Sequence, residues 1–195
     1  DERGKHLGSF KGDDKILSIY KSGHYLISGF ELSNRFSDDL IHIEKYHPNR
    51  PIACVYWNSE KELFYVKRFN IENLTKKHLF IPEESGTELV VASTQHLPKV
   101  SVTFNKRLKE TKDLDDKVYA LNDMIDIKGV KAQGNQLSKL KIKDISLLPT
   151  KEGEDWPELI EEANIDQSDK EIIAKASSSS LNVDAKTIDS NGNNQ

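Results

Sequence analysis

From the first residue to about residue 148, apolar positions fall in short runs bounded by Gly, Pro, Asn, Asp and Ser. Within the runs, apolar and polar residues alternate, which is the period-2 signature of half-buried antiparallel strands. Helical spacing is scarce there. The clearest hairpin is KILSIYK, then Ser22-Gly23, then HYLISGFEL, with glycine supplying the positive φ that a tight turn needs. A second is IACVYWN, then Ser59 to Glu62, then LFYVKRFNI. Further strands are read at LIHIEKY, TELVVAS, VSVTFNK, KVYAL and LKIKDISLL. The pattern predicts an all-β body of about ten strands.

The strands copy one another. ILSIYKSG-HYLISGFEL aligns with IACVYWNSEKELFYVKRFNI, and LIHIEKYHPNRPIACVYW aligns with LVVASTQHLPKVSVTFNK. The second pair is offset by 49 residues, Leu40 to Leu89, close to the length of one four-stranded propeller blade. A radial repeat would bury one face of each blade against its neighbours and leave an outer edge for partners. An ordinary sandwich, whose strands resemble one another only through alternation, fits the same pattern.

Charge changes this picture by dividing the chain. The net charge of −4 averages two regions. Residues 1–150 hold 24 Lys and Arg against 21 Asp and Glu, a balance of +3, and residues 151–195 hold 4 against 11, a balance of −7. Within residues 99–143 the excess is 11 cations to 6 anions, where an anionic polymer would dock. The expected organisation is a β-domain over 1–148, an acidic segment over 149–167 with a short helix after Trp156-Pro157, and a disordered tail over 168–195. The tail has too few apolar residues to offset ordering entropy. It is expected either to compete with an anionic ligand for the basic surface or simply to aid solubility. No apolar run long enough to cross a bilayer is present, and the first ten residues lack the apolar stretch of a secretory signal. The sequence therefore predicts a cytoplasmic chain without a membrane partner. The single cysteine, Cys54, sits in the apolar run IACVYW and is expected to be buried and inert.

Most motifs for small-molecule chemistry fail. Gly129-Val-Lys-Ala-Gln-Gly134 has the glycine spacing of a phosphate-binding loop, but Asn135-Gln136 stand where Lys and Ser or Thr are required. Without the ammonium and the metal-ligating hydroxyl, the loop has no nucleotide chemistry, and its glycines read as a bend or bulge between strands. The six histidines form no H-x-x-x-H or H-x-H pair. Asp13-Asp14, Asp38-Asp39 and Asp115-Asp116 fall between strands, where Asp favours turns. A hydrolase using scattered carboxylates would require a deep pocket that pairs them. What remains is a set of cations beside aromatics: Lys67 and Arg68, Lys106 and Arg107, Lys128 and Lys131, and Lys139. Alternation puts Lys67 and Arg68 on opposite faces, so a bulge or twisted edge is expected to bring both to solvent.

Three stretches, GKHLGSFKGDDKILSIYKSGHYLI, RPIACVYWNSEKELFYVKRFNIE and MIDIKGVKAQGNQLSKLKIKDI, resemble one family. It is the C-terminal domain of the A subunit of bacterial type IIA topoisomerases, the DNA gyrase and topoisomerase IV A subunits. The likeness is nearest to topoisomerase IV and runs from Gly4 to Leu148. Its most specific piece is the KG-x-KA-x-GN-x-LS spacing of residues 128–138. The resemblance implies a β-pinwheel of four-stranded blades whose basic perimeter binds and bends double-stranded DNA with little regard to sequence. It implies no catalytic residue and no cofactor in this domain, since the tyrosine that cuts DNA, the metal site and the ATP site belong to other domains or to the B subunit. Partners would be the topoisomerase B subunit and a second A subunit. Lys67, Arg68, Lys106, Arg107, Lys128, Lys131 and Lys139 are the expected phosphate contacts. About three blades fit into this length, fewer than the family's five or six. The box QRRGGKG of gyrase A subunits is absent, which favours a topoisomerase IV-like role. The competing expectation is a propeller-like protein-interaction module that does not bind DNA.

Overall fold

The computed structural model describes residues 6–159 and Lys170. Two compact units divide the chain at Glu154. The larger is all-β, as the alternation predicts, with eleven strands: β1 (Ile16–Tyr20), β2 (His24–Ser28), β3 (Leu40–Lys45), β4 (Ile52–Asn58), β5 (Leu63–Phe69), β6 (His78–Leu79), β7 (Glu88–Ser93), β8 (Lys99–Phe104), β9 (Lys117–Ala120), β10 (Asn135–Gln136) and β11 (Ile142–Leu147). One helical turn, α1 (Leu121–Met124), follows β9. In the second unit, residues 157–159 are helical. Apart from Lys170, the residues of the expected disordered tail, 168–195, lie outside the described ones.

The strands form three antiparallel sheets with the orders β3-β1-β2-β6, β10-β5-β4-β7 and β11-β8-β9. The internal copy in the sequence is visible here. Each sheet is built on a hairpin (β1-β2, β4-β5, β8-β9), and the strand that closes each unit returns to pair with the first strand of its own hairpin. The first hairpin turns at Gly23 with φ +77°, while the second turns through Glu62 at φ +52°.

Two hydrophobic layers hold the sheets together. Ile52, Cys54 and Tyr56 of β4 pack with Leu17, Ile19, Tyr25 and Ile27 of the first sheet. Ala53 and Val55, the alternate positions of β4, pack with Val100, Val102 and Phe104 of the third. The second sheet is therefore covered on both faces, which explains why IACVYW is a continuous apolar run rather than an alternating one. Among the described residues, the third sheet has a buried face and a partly exposed one. Val100, Val102 and Phe104 are buried, while Lys99, Ser101 and Thr103 point the other way and are partly exposed. Along the opposite margin of the sheets, β7 lies against both β3 and β11.

The two shortest strands carry no sequence signal of their own. The β6 strand, from the second of three repeats (β1–β3, β4–β7 and β8–β11), adds to the first sheet beside β2, and β10, from the third repeat, adds to the second sheet beside β5. Each is only two residues long, too short for periodicity to show.

Candidate nucleic-acid interface

The expected cations divide into three groups. Lys106 and Arg107 leave the end of β8 and are exposed. Their loop is fixed from within: the buried Thr111 hydroxyl donates to the Asn105 carbonyl, and the Arg107 N–H donates to Asn105 Oδ1 at 3.1 Å. Pairing of β8 with β11 brings a second pair of cations to the same end of the sheet. Ile142 stands opposite Phe104, and the Asn105 N–H donates to the Lys141 carbonyl at 2.9 Å. Asn105, Lys106, Arg107 and Lys143 line one open cleft of about 400 Å³. Lys141 and Lys143 are exposed members of this group, about 35 residues from Arg107 in sequence, and only the β8–β11 register could have added them to it.

Lys128, Lys131 and Lys139 form the second group. All three are exposed. The loop that carries Lys128 and Lys131 is tied to β5 and β4: the Lys128 N–H donates to the Arg68 carbonyl at 2.9 Å, and the Tyr56 hydroxyl donates to the Gln133 carbonyl at 2.8 Å. Lys131 borders a cleft of about 380 Å³ with Asn58, Glu60, Lys61 and Gln133.

The third group corrects the sequence reading. Lys67 is 4% exposed. Its register with β4 is unbroken, Cys54 opposite Lys67 and Ala53 opposite Arg68, so the expected bulge is absent. On the face shared with Phe69, the Lys67 ammonium donates to the Phe80 carbonyl and, at 2.8 Å, to the Val130 carbonyl. Burial lowers its pKa from the ordinary lysine value, with the neighbouring Cys54 opposing. Arg68 faces the other layer, where its Nη1 donates to the Ile125 carbonyl at 3.0 Å and its Nε is buried without a partner. Burial lowers the guanidinium's pKa, and Asp126 opposes. Lys67 is a fastener between strands: its ammonium, at the wall of the cleft that Lys131 borders, is held by two carbonyls rather than displayed on the surface as expected. Arg68 directs one donor inward and is partly exposed.

Two groups suited to bond-making chemistry, Cys54 and Glu44, are held in structural roles. Cys54 is fully buried and its thiol is pushed up to about 12 by desolvation, leaving no thiolate at neutral pH. Glu44 is desolvated, which raises its pKa, but the His42 imidazole 3.4 Å away and a hydrogen bond from the Thr94 hydroxyl outweigh this and hold it below the usual carboxylate value. The Thr94 bond joins β3 to the residue that follows β7. Among the described residues, no three His, Cys, Asp or Glu side chains gather as metal ligands.

Residues 1–149 match the family described as topoisomerase C-terminal domain, Bacteroidota. No curated protein and no solved structure matches the chain. The match spans all three sheets and both groups of exposed cations, and the chain belongs to this family of topoisomerase C-terminal domains.

Proposed function

We propose that this domain binds and bends duplex DNA beside the cleavage core of a type IIA topoisomerase, as the C-terminal part of a topoisomerase IV-like A subunit. It works in the cytoplasm, with the B subunit and a second A subunit as the partners of the whole enzyme. The three sheets are read as blades of a pinwheel, and the domain as a non-catalytic accessory that presents a DNA segment for passage. The observation that carries this reading is the cluster of Lys106, Arg107, Lys141 and Lys143, four exposed cations that the β8–β11 pairing and the turn after β8 bring to one end of the third sheet. Cations fixed by a sheet suit a polyanion of regular spacing, and phosphate contacts position a duplex without reading its bases. Bending ~20 to 30 base pairs costs on the order of 1 to 6 kcal/mol, so the Lys128, Lys131 and Lys139 group is needed as a further set of contacts.

Fluorescence anisotropy with a random-sequence duplex, titrated at several salt concentrations, tests this. Binding should weaken linearly in log [salt], by roughly 0.9 per phosphate neutralised. The triple substitution Lys106→Ala, Arg107→Ala, Lys143→Ala should reduce that slope by about 2.7 and leave the circular dichroism spectrum unchanged. Absence of binding at low salt would remove the DNA role and favour the protein-interaction reading.

A further inference from the structure

Among the described residues, Lys67 is the most deeply buried charged side chain. It extends from β5 between two segments that complete different sheets. Gly134 makes room for it, since a Cβ at that glycine would stand 2.9 Å from Lys67 Cγ. The ammonium donates to the Phe80 and Val130 carbonyls, and the Phe69 ring centroid lies 5.6 Å from it. Carbonyl dipoles and a ring face offset part of the cost of burying a cation, but none of them carries a negative charge.

Buried charges are ordinarily paired, because an unpaired one bears the cost of leaving water. Among the described residues, Lys67 has no carboxylate partner. The ionisable group that acts on it is Cys54, whose thiol stays protonated at neutral pH. An ammonium has three donors. Two are used on carbonyls, and the third has no acceptor among the described residues. The ammonium nevertheless stands at the wall of an open cleft of about 380 Å³, which Lys61 and Lys131 also border. Of the carboxylates in that cleft, Glu84 accepts from Asn58 at 3.4 Å and from Thr87 at 3.3 Å, and Glu60 is exposed. Leu79, Ile81 and Pro82 make part of the wall apolar, which strengthens charge interactions inside it. The Gly129–Gly134 loop lacks the lysine of a nucleotide loop in its own sequence, and β5 brings one to its Val130 from 63 residues away.

We propose that this cleft binds a small free oxyanion, inorganic phosphate or a phosphate-bearing metabolite, with one oxygen accepting the third Lys67 N–H and with Lys61 and Lys131 supplying further positive charge at the rim. Several cations around one space suit a group with several charged oxygens. To set a backbone phosphate against Lys67, a duplex would have to enter the cleft, whereas a free phosphate fits a space of this volume. The bound anion would complete the partners of a lysine that already joins the Phe80 segment to the 129–134 loop, so binding should stabilise the fold by mass action.

Urea denaturation of the whole chain, with inorganic phosphate exchanged for chloride at constant ionic strength and pH, tests the site. The midpoint should rise with phosphate and level off. Phosphate also stabilises proteins generally, through exclusion from their surface, so the saturable part is the signal. Lys67→Met should lose the plateau-forming rise while still unfolding cooperatively, and calorimetry should count one phosphate fewer per chain. Lys61→Ala, at the exposed rim, should keep the wild-type midpoint in chloride and raise the half-saturating phosphate concentration several-fold. A rise without a plateau in the wild type, or an equal rise in Lys67→Met, would overturn the proposal. If Lys67→Met does not fold, unaltered half-saturation in Lys61→Ala would overturn it. A lower salt slope for duplex binding in folded Lys67→Met would also overturn it, by assigning the phosphate to DNA.

Discussion

Lys67→Ala is expected to cost about 3 kcal/mol of unfolding free energy while leaving the salt dependence of DNA binding unchanged. The ammonium is buried and satisfies two carbonyls from different parts of the chain. Phe80 follows β6, which completes the first sheet, and Val130 lies in the loop before β10, which completes the second. Alanine leaves both acceptors without their donor, at roughly 1 to 3 kcal/mol for each buried group, and opens a cavity beside Phe69 and Cys54. Relief from burying a cation offsets part of this, so the net figure lies below the sum. Lys67→Met tests that division: it keeps the volume and removes the charge but still leaves the carbonyls unpaired, so it should fall between wild type and alanine. Urea denaturation followed by circular dichroism reads both variants as a lower midpoint at constant slope. The DNA titration separates this role from phosphate binding. A lysine on phosphate would lower the salt slope by about 0.9, and Lys67→Met should not move it. A reduced slope in well-folded Lys67→Met would return Lys67 to the interface.

The long strands were legible because each spans several alternations, and the apolar run at β4 had length enough to be a strand whichever faces it buried. The short strands β6 and β10 were not legible. They are defined by pairing with a neighbouring repeat, and nothing in His78-Leu79 or Asn135-Gln136 encodes a partner 53 to 71 residues away. The same limit governed the candidate interface. Lys106 and Arg107 could be picked as exposed cations after a strand, but Lys141 and Lys143 join them only through the β8–β11 register. Lys67 misled because a cation beside aromatics reads as a surface feature, whereas the carbonyls that justify its burial belong to loops brought in by β6 and β10. These cases share a cause: the second and third repeats each finish the sheet of the repeat before, so a local sequence describes only part of its own surroundings.

Gly134→Ala is expected to be the most damaging small substitution in the family-specific stretch, with a loss of about 3 kcal/mol, while Gly129→Ala should stay within about 0.5 kcal/mol of wild type. The two glycines look equivalent in GVKAQG, but their surroundings differ. Gly134 has φ +95°, a backbone region that a side chain enters only under strain, and a Cβ built there would stand 2.1 Å from the Val66 carbonyl oxygen and 2.9 Å from Lys67 Cγ. Neither neighbour can move aside cheaply. Val66 is buried and paired to Val55 on one side and Asn135 on the other, and Lys67 is held by its two carbonyls. The alternative is for β10 to move away, which would take Leu137 out of the second hydrophobic layer and break the Tyr56–Gln133 hydrogen bond. Gly129 has no atom within 4 Å of its built Cβ and no positive φ, so alanine fits without displacement and slightly restricts the unfolded chain. Paired urea titrations of the two variants measure the difference. Equal stability would mean that β10 is not docked against β5 as the close approach at Gly134 requires. In the expected case, Gly134→Ala should also weaken DNA binding, because Lys131 and Lys139 flank β10 and lose their fixed positions with it.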